Sequence, residues 1–355
     1  MRNNIFYVLL LGAFILTSSC HDDDMPQPTD PLPPTHSWER ITPGGNYTAL
    51  PNFKSVFDFQ VDRQGRLWLG STYNKDNSDA AGLWYFDNSD WTYFQAFEDQ
   101  YPNALDEVHP SVIRFDSENN LWFGLRDKIV QYDGQGFVEY EFPRAVGTQG
   151  WLKVFTIQED GTVWVGGHKY FASLKDGNWT IFELPDLSDT WFDNLVVTED
   201  AIWIATNGGL FIHEDNETRK VAEITVENGD RVNTIPIKGV YLNDLFHHQG
   251  KIYVATAVNG LLIYDGEQWT VFNEANSDLK DDYVSTVFVD QDDRIYLGTE
   301  EGMYRIEEDE SWRFFISPVS QVCTGGCTET VSRVKMDDEQ NLYILANDYI
   351  FQLEE

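Results

Sequence analysis

Histidine is the side chain best suited to proton transfer near neutral pH, and the sequence holds seven of them. Two stand where chemistry could be organised: His109, and His168 with the Lys169 and Tyr170 that follow it. Neither belongs to a Ser-His-Asp pattern or to the ligand spacing of a metal site. We therefore predict no catalytic residue, no metal and no cofactor. The alternative is a lyase or hydrolase that uses His109 or His168.

Trp151 and Trp191 form a second candidate group, because they are the two tryptophans that fall outside the positions of an internal repeat. Both precede the first strand of a repeat unit. Their counterparts in other units are Phe53, His109, Tyr241 and Tyr283. Aromatic rings suit sugars, whose C–H faces stack on them while the hydroxyl groups need hydrogen-bond partners. We predict an aromatic rim for ligand binding; the alternative is that both tryptophans pack loops against the scaffold.

Polar residues that begin the first strands are predicted to form a floor below this rim. They are Asp58, Ser111, Lys153, Asp193, Asn194, Asn243, Asp244, Ser285, Thr286 and Arg333. From both groups, the predicted ligand-binding residues are Trp151, Trp191, Tyr241, Tyr283, His109, Asp58, Lys153, Asn243 and Arg333. Long loops are predicted on the same face, which favours it as the binding face. Their ranges are 71–82, 97–110, 222–240 and 317–330.

An internal repeat that runs from residue 37 to the end of the chain positions these residues. The turn and second strand of the unit read VDRQGRLWLG at 61–70 and FDSENNLWFG at 115–124. Further copies begin near residues 157, 197, 247, 289 and 336, which makes seven. This spacing is typical of a propeller with one copy in each blade. Alternation with a period of two and Asp-Gly turns predict hairpins throughout, and no stretch has the period of a helix.

The two ends of the chain are predicted to share the last blade. In four units a fourth strand begins with a tryptophan: Trp91, Trp179, Trp269 and Trp312. The seventh copy stops after three strands, and the missing strand matches residues 37–42. We therefore predict an all-β fold, a seven-bladed β-propeller over residues 37–355 that is closed by an N-terminal strand in the last blade. Closure removes exposed strand edges.

The units resemble two-component regulator propeller repeats, in which a turn with Asp and Gly precedes an apolar-Trp-apolar-Gly strand and a Gly-apolar pair. The glycine of that pair is kept at Gly82, Gly209, Gly260 and Gly302. The other blades carry residues 126–128, 168–170 and 347–349 instead. In that family the repeats often form the extracytoplasmic half of hybrid sensor kinases that respond to polysaccharide fragments. The resemblance implies a propeller and a sensing role, here expected in a stand-alone lipoprotein without a kinase.

Residues 1–19 have the pattern of a lipoprotein signal peptide. Arg2 provides the positive charge at the start, and residues 5–16 form the apolar region. Residues 17–20 resemble a lipobox, in which Cys20 is acylated with palmitate or a similar chain. Residues 20–36 are then an acidic, proline-rich linker. Its acidic run at 22–24 resembles the signal that sends some lipoproteins to the outer face of the outer membrane. We predict a lipid-anchored outer-membrane protein that faces the cell surface.

The net charge restricts which partners the protein can bind, and the cysteines indicate the compartment in which it is found. The chain carries 59 acidic and 24 basic residues, a net charge of −35. This charge repels phosphate backbones and anionic lipids, so we predict no nucleic-acid partner and membrane contact through the lipid anchor only. The remaining cysteines, Cys323 and Cys327, are predicted to form a short-loop disulfide, because exported proteins meet an oxidising environment.

These features together predict a surface lipoprotein that binds a glycan or another polar small molecule on one propeller face without catalysis. Two alternatives stay open beside it. One is the lyase or hydrolase with His109 or His168. The other is a protein-interaction scaffold that has a protein partner in an outer-membrane uptake or secretion complex.

Surface display can be tested on cells. We expect external protease to degrade the protein on intact cells, and Cys20→Ala to release it from the membrane fraction, because the acyl chains are then missing. Cys323→Ala is the control, since it removes a cysteine outside the predicted lipobox. Protection on intact cells, with degradation only after lysis, would indicate a periplasmic protein and contradict surface display.

Overall fold

The computed structural model describes residues 37–42, 56–71, 82–87, 90–101, 110, 112–143, 152, 154–167, 170–184, 191–228, 231–321 and 328–354. All of them belong to one compact unit, His36–Glu355. They form seven antiparallel four-stranded sheets and one separate two-stranded hairpin. The protein is therefore an all-β, seven-bladed propeller, which confirms the predicted fold class.

The chain begins with β1 (Ser37–Arg40), and the blades follow in sequence order, each from an innermost to an outermost strand. Blade 1 contains β2 (Val56–Val61), β3 (Leu67–Ser71), β4 (Gly82–Phe86) and β5 (Trp91–Tyr93), followed by a short helix, α1 (Gln95–Gln100). Blade 2 contains β6 (Ile113–Phe115), β7 (Leu121–Gly124), β8 (Lys128–Tyr132) and β9 (Phe137–Glu141). Blade 3 contains β10 (Val154–Ile157), β11 (Val163–Gly166), β12 (Tyr170–Lys175) and β13 (Asn178–Glu183).

The second half of the chain repeats the pattern. Blade 4 contains β14 (Phe192–Val197), β15 (Ala201–Thr206), β16 (Gly209–Glu214) and β17 (Glu217–Lys220), followed by the hairpin of β18 (Glu223–Asn228) and β19 (Arg231–Pro236). Blade 5 contains β20 (Leu242–His248), β21 (Lys251–Thr256), β22 (Leu261–Tyr264) and β23 (Trp269–Phe272). Blade 6 contains β24 (Thr286–Val289), β25 (Ile295–Gly298), β26 (Gly302–Ile306) and β27 (Trp312–Ile316), and a 3-10 helix (Pro318–Gln321) follows. Blade 7 contains β28 (Val331–Met336), β29 (Leu342–Ala346) and β30 (Tyr349–Glu354), with β1 as its fourth strand.

The N-terminal strand closes the ring as predicted. Strand β1 pairs antiparallel with β30, so that Trp38 lies opposite Leu353. The indole N–H of Trp38 donates to the Ile316 oxygen of blade 6 at 3.1 Å. On the other side, the indole N–H of Trp91 in blade 1 donates to the Ile41 oxygen at 2.8 Å. The six residues that follow the linker therefore bind the last blade to both of its neighbours.

A turn aspartate and an aromatic residue six positions later hold the first hairpin in four blades. In blade 2, Asp116 accepts the backbone N–H groups of Glu118 and Asn120 at 3.0 and 2.9 Å. It also accepts the indole N–H of Trp122 at 2.8 Å. Asn119 completes the turn with a φ of 64°, a left-handed conformation that asparagine tolerates. The equivalent pairs are Asp62–Trp68, Asp290–Tyr296 and Asp337–Tyr343.

Glycine ends the second strand where neighbouring blades approach each other closely. A Cβ atom on Gly70 would lie 2.2 Å from the backbone oxygen of Pro110, which precedes the inner strand of blade 2. A Cβ atom on Gly298 would lie 2.3 Å from the oxygen of Val331 in blade 7. Neither position has room for a side chain, which explains why the repeat places glycine after the aromatic strand.

Two segments predicted as long loops contain regular structure. The segment 222–240 folds into the hairpin of β18 and β19, and the segment 97–110 begins inside α1. The hairpin is held by packing: Ile224 is buried against the core of blade 5, together with Ile237 just after β19. Phe97 of the helix is buried beside Phe123 of blade 2. These buried apolar side chains hold both segments against the blades. The sequence analysis predicted loops because it considered the turn residues and not this burial.

Loss of the closing strand is expected to destabilise the whole ring. Deletion of residues 37–42 leaves blade 7 with three strands and an open edge, so the unfolding midpoint should fall by at least about 5 °C. Deletion of six linker residues, 26–31, is the matched control and should leave the midpoint unchanged. Thermal unfolding followed by circular dichroism measures both. Equal midpoints for the two deletions would show that β1 does not stabilise the ring.

The turn aspartate is expected to matter more than other turn residues of the same blade. Asp116→Ala removes the acceptor for Trp122 and two backbone N–H groups, and should lower the free energy of unfolding by about 1–3 kcal/mol. Asp133→Ala is the control, because the exposed Asp133 accepts only the N–H groups of its own turn. Denaturant titration measures both.

Acid should reduce the difference between Asp116→Ala and the natural protein. Burial alone would raise the pKa of Asp116, but hydrogen bonds from Trp122 and Asn120 outweigh it and hold the pKa below the ordinary 3.8. A lowered folded-state pKa contributes stability above the unfolded-state pKa, and this contribution is lost as the pH falls. The difference should therefore shrink below about pH 4. A difference independent of pH would contradict this role.

Candidate functional site

The seven innermost strands surround a central cavity of about 750 Å³. They contact one another in the order β2, β6, β10, β14, β20, β24 and β28, and β28 contacts β2 again. Every one of these strands contributes lining residues. The cavity is thus a property of the closed ring, and a single blade does not form it.

Half of the lining residues fall into two rings, because the inner strands share one register with their second strands. The second ring contains the residues that pair with the repeat aromatic or its equivalent. They are Gln60, Arg114, Thr156, Val196, Phe246, Phe288 and Lys335. The first ring lies two residues earlier along the chain in each blade. It consists of Asp58, Val112, Val154, Asn194, Asp244, Thr286 and Arg333. All of these residues except Gln60 line the cavity.

Irregular pairing at the start of four inner strands changes which residues reach the channel. The register shifts between Val56 and Phe59 in β2, and correspondingly in β14, β20 and β28. A bulge adds a residue to one strand and redirects side chains. In β14 the adjacent residues Asp193 and Asn194 both line the cavity, as do Asn243 and Asp244 in β20. Adjacent polar lining residues thus occur at two of the irregular strand starts. Ser285 and Thr286 form a third such pair in blade 6, where the pairing of β24 is regular.

Asp244 is a buried acceptor that joins three blades. Its carboxylate accepts the hydroxyl of Thr286 at 2.6 Å and the backbone N–H of Val287 at 3.2 Å, both from blade 6. It also accepts the amide of Asn194 in blade 4 and the backbone N–H of Leu245 in its own strand at 2.9 Å. Because these four donors are fixed by the fold, Asp244 is engaged in holding the channel wall.

Asp58 is the acidic centre on the opposite side of the ring. It is 5% exposed, and the guanidinium of Arg114 forms a salt bridge with it. Burial alone would raise the pKa of Asp58, but the charges of Arg114, Lys335 and Arg333 outweigh it and hold the pKa below its usual value. Asp58 therefore stays ionised among three cations.

The mouth of the cavity is aromatic on one side. Tyr241 and Tyr283, which precede β20 and β24, both line it. The hydroxyl of Tyr241 donates to Asp193 at 3.1 Å. Burial and the Asp193 charge raise the pKa of Tyr241 to about 12, so its hydroxyl stays protonated at neutral pH. Asn243 has a structural contact as well, since its amide donates to the Val284 oxygen at 2.7 Å.

Most of the residues predicted for this face do line the cavity. These are Asp58, Asp193, Asn194, Tyr241, Asn243, Asp244, Tyr283, Ser285, Thr286 and Arg333. Trp191 is different: it is 36% exposed, does not line the cavity, and its backbone exchanges hydrogen bonds with Asn207. The remaining predicted residues lie outside the described part of the chain. They are Cys20, Phe53, His109, Ser111, Trp151, Lys153, His168, Lys169, Cys323 and Cys327.

The sequence reasoning missed the lining residues that lie deeper in the inner strands, among them Arg114, Phe246, Phe288 and Lys335. The signal that could have found them is the cross-strand register. Each pairs with the residue that carries the repeat aromatic, so alignment of the seven first hairpins would have placed all four in one ring.

Metal and membrane features were sought among the same described residues. No group of three or more His, Cys, Asp or Glu side chains within them could hold a metal ion. No helix within them is long and apolar enough to cross a membrane.

Comparison with solved structures places this fold among known propellers. A catalytically inactive virginiamycin B lyase from Staphylococcus aureus, with quinupristin, aligns with a TM-score of 0.64 at 11% identity, covering 90% of this chain and 99% of the lyase. PorZ, an essential bacterial surface component of the type-IX secretion system of Porphyromonas gingivalis, aligns with a TM-score of 0.62 at 15% identity. That alignment covers 85% of this chain and 46% of PorZ.

The extracellular domain of the one component system BT4673 from B. thetaiotaomicron is also similar. It aligns with a TM-score of 0.42 at 14% identity, over 89% of this chain and 52% of that domain. This chain thus spans about half the length of PorZ and of the BT4673 domain. No protein-family model matches the chain. No curated protein matches it either. At these identities the neighbours support the propeller fold alone.

Proposed function

We propose that this protein is a surface-exposed lipoprotein that binds a glycan or a similar polar small molecule in the central channel without catalysis. The observation that carries the proposal is the cavity of about 750 Å³ with aromatic residues at its mouth and polar side chains along its wall. Small-molecule sites typically enclose about 300–1,000 Å³ and combine apolar walls with a few placed polar groups. The channel has both properties.

The rim and the wall suit a sugar for separate reasons. Tyr241 and Tyr283 offer ring faces on which C–H groups can stack. Ser285, Thr286 and Asn243 also line the wall, and each donates a hydrogen bond within the protein. Their side-chain oxygen atoms can still accept from the hydroxyl groups of a ligand. Trp151 and Lys153, which lie outside the described residues, are proposed to extend this rim and wall.

The proposed location rests on the N-terminal sequence and on one structural neighbour. The Cys20 motif and the acidic run that follows it favour a lipid anchor at the outer face of the outer membrane. PorZ, which is described as a bacterial surface component, has a similar propeller. The same likeness favours a role as a scaffold of a secretion complex as a second candidate.

An enzymatic role is the third candidate, favoured by the likeness to virginiamycin B lyase over almost its whole length. In that case His109 or His168 would carry the chemistry at the channel mouth. A binding protein and a lyase differ in a measurable way, because only the lyase returns an altered ligand. Mass spectrometry of recovered ligand therefore distinguishes them.

Binding at the channel mouth can be tested with the purified full chain. We expect a glycan screen to yield a ligand, and Tyr241→Ala and Tyr283→Ala each to weaken its affinity by about 5- to 100-fold, typical of an aromatic contact. Ile181→Ala is the control, because Ile181 is an exposed apolar side chain on the outermost strand of blade 3. Isothermal titration calorimetry measures all three. A ligand whose affinity neither tyrosine affects binds elsewhere, and the proposal then fails.

A further inference from the structure

Charged residues are distributed unevenly around the two rings. Arg333 and Lys335 come from blade 7 and Arg114 from blade 2, on either side of the blade that supplies Asp58. We call these four residues the cationic sector. It contains three positive charges and one negative charge, in a protein whose net charge is −35. The cavity lining as a whole carries three basic and three acidic side chains, because Asp193 and Asp244 lie on the opposite side of the ring. What requires an explanation is therefore the segregation of the three basic side chains into one sector.

Asp58 does not neutralise the sector. Its salt bridge is made with Arg114, which leaves the two cations of blade 7. Arg333 donates one N–H to the backbone oxygen of its neighbour Ser332 at 2.7 Å, and forms no salt bridge with a described residue. The ammonium group of Lys335 has no hydrogen bond or salt bridge within the described part of the chain. Donors of both residues are therefore available at the cavity wall.

Burial acts against the charged form of Lys335. Burial lowers the pKa of Lys335 below its ordinary value; the charges of Arg114 and Arg333 add to this effect, and those of Asp58 and Asp244 oppose it. The folded protein thus disfavours the ammonium form relative to water. An anion placed between Arg333 and Lys335 would relieve this penalty, because it would pair with both groups in a medium of low dielectric.

The opposite wall of the channel carries aromatic side chains in place of basic ones. Phe246 and Phe288, from blades 5 and 6, line it with ring centroids 5.2 Å apart. The acidic groups on that side are Asp244, which is engaged by its four fixed donors, and Asp193, which accepts the hydroxyl of Tyr241. A ligand that spans the channel therefore meets basic side chains on one side. On the other side it meets two aromatic rings and two carboxylates that already accept hydrogen bonds from the protein.

We propose that the channel ligand is a sugar that carries an oxyanion, a carboxylate or a sulfate ester, and that Arg333 and Lys335 bind this group. The inference rests on the proposed glycan-binding function and names the class of glycan. Oxyanions accept strong, short hydrogen bonds from guanidinium and ammonium groups, and the planar guanidinium can bind them with two N–H groups. A neutral sugar would leave both cations desolvated and unpaired, which is unfavourable.

Three trisaccharides with comparable skeletons test the charge requirement on the full chain. They are a galacturonic acid trisaccharide, its neutral methyl ester, and a galactose trisaccharide sulfated at each C6. We expect at least one charged form to bind about 10- to 100-fold more tightly than the methyl ester, the value of a hydrogen bond to a charged group. The charged form that binds more tightly identifies the oxyanion. Equal affinity of the neutral ester overturns the inference.

Two variants test the assigned residues. Arg333→Gln and Lys335→Gln should each weaken binding of the charged trisaccharide by about 10-fold and leave the methyl ester unaffected. The matched controls Arg219→Gln and Lys251→Gln remove the same charges at exposed positions in β17 and β21, and should change affinity less than twofold. Equal losses in the controls would indicate a long-range effect of net charge and overturn the assignment.

Thermal unfolding separates a binding role from a folding role. Lys335→Gln should keep or raise the unfolding midpoint of the free protein, because it removes a charge that the fold disfavours. A lower midpoint would assign Lys335 to folding and overturn the inference. If all three trisaccharides bind equally and Tyr241→Ala weakens each of them, glycan binding stands and only the anion inference fails. If none binds while glycans of other classes fail as well, the proposed function fails.

Discussion

In four of the seven blades, a hydrogen bond between a turn carboxylate and the aromatic residue six positions later fixes the register of the first hairpin, on which the channel lining of those blades depends. In blade 2 the carboxylate of Asp116 fixes the turn through two backbone N–H groups and the second strand through Trp122. A one-residue slip would break these contacts and move every inner-strand side chain to the other face. Because Arg114 pairs with Trp122, the same bond that stabilises the hairpin also places Arg114 in the second ring.

The close packing of the blades adds a second constraint. Four of the first-ring residues are paired with glycine or alanine on the second strand: Val154 with Gly166, Asn194 with Ala205, Asp244 with Ala255 and Thr286 with Gly298. A Cβ atom on Gly298 would collide with the backbone of blade 7, so small residues there let the inner strands converge. Convergence brings Asn194 and Thr286 within hydrogen-bond reach of Asp244. Small residues on the second strand thus allow the polar side chains of the innermost strands to contact one another.

The fold was predictable from the sequence because each blade repeats one local solution. Seven aromatic-centred second strands and the Trp38 strand sufficed for the blade count and for closure, and both are observed. The hairpin at 223–236 was not predictable in this way, because it occurs once and depends on the burial of Ile224 against blade 5.

The candidate site was predicted in part. Asp58 and Arg333 were predicted as site residues because they lie near the start of the first strand of their repeat units. Both line the cavity. Arg114 and Lys335 lie deeper in the same strands and resemble ordinary alternating polar residues in the sequence. Their importance depends on which blades are neighbours across the closure, since blade 7 and blade 2 approach Asp58 from opposite sides. Long-range contacts of this kind are not encoded in any single repeat.

The contrast between the acidic exterior and the cationic sector has a consequence for selectivity. A net charge of −35 opposes the approach of polyanions, and salt screens this repulsion over about 8 Å at physiological ionic strength. Arg333 and Lys335 lie inside the channel, where screening by salt is weaker and an ion pair is stronger. If the ligand is the proposed charged sugar, a large polyanion would meet the repulsive surface, whereas a short charged oligosaccharide would be small enough to reach the basic side chains inside the cavity. Under the proposed function, the selectivity of the channel would thus depend on both the size and the charge of the ligand.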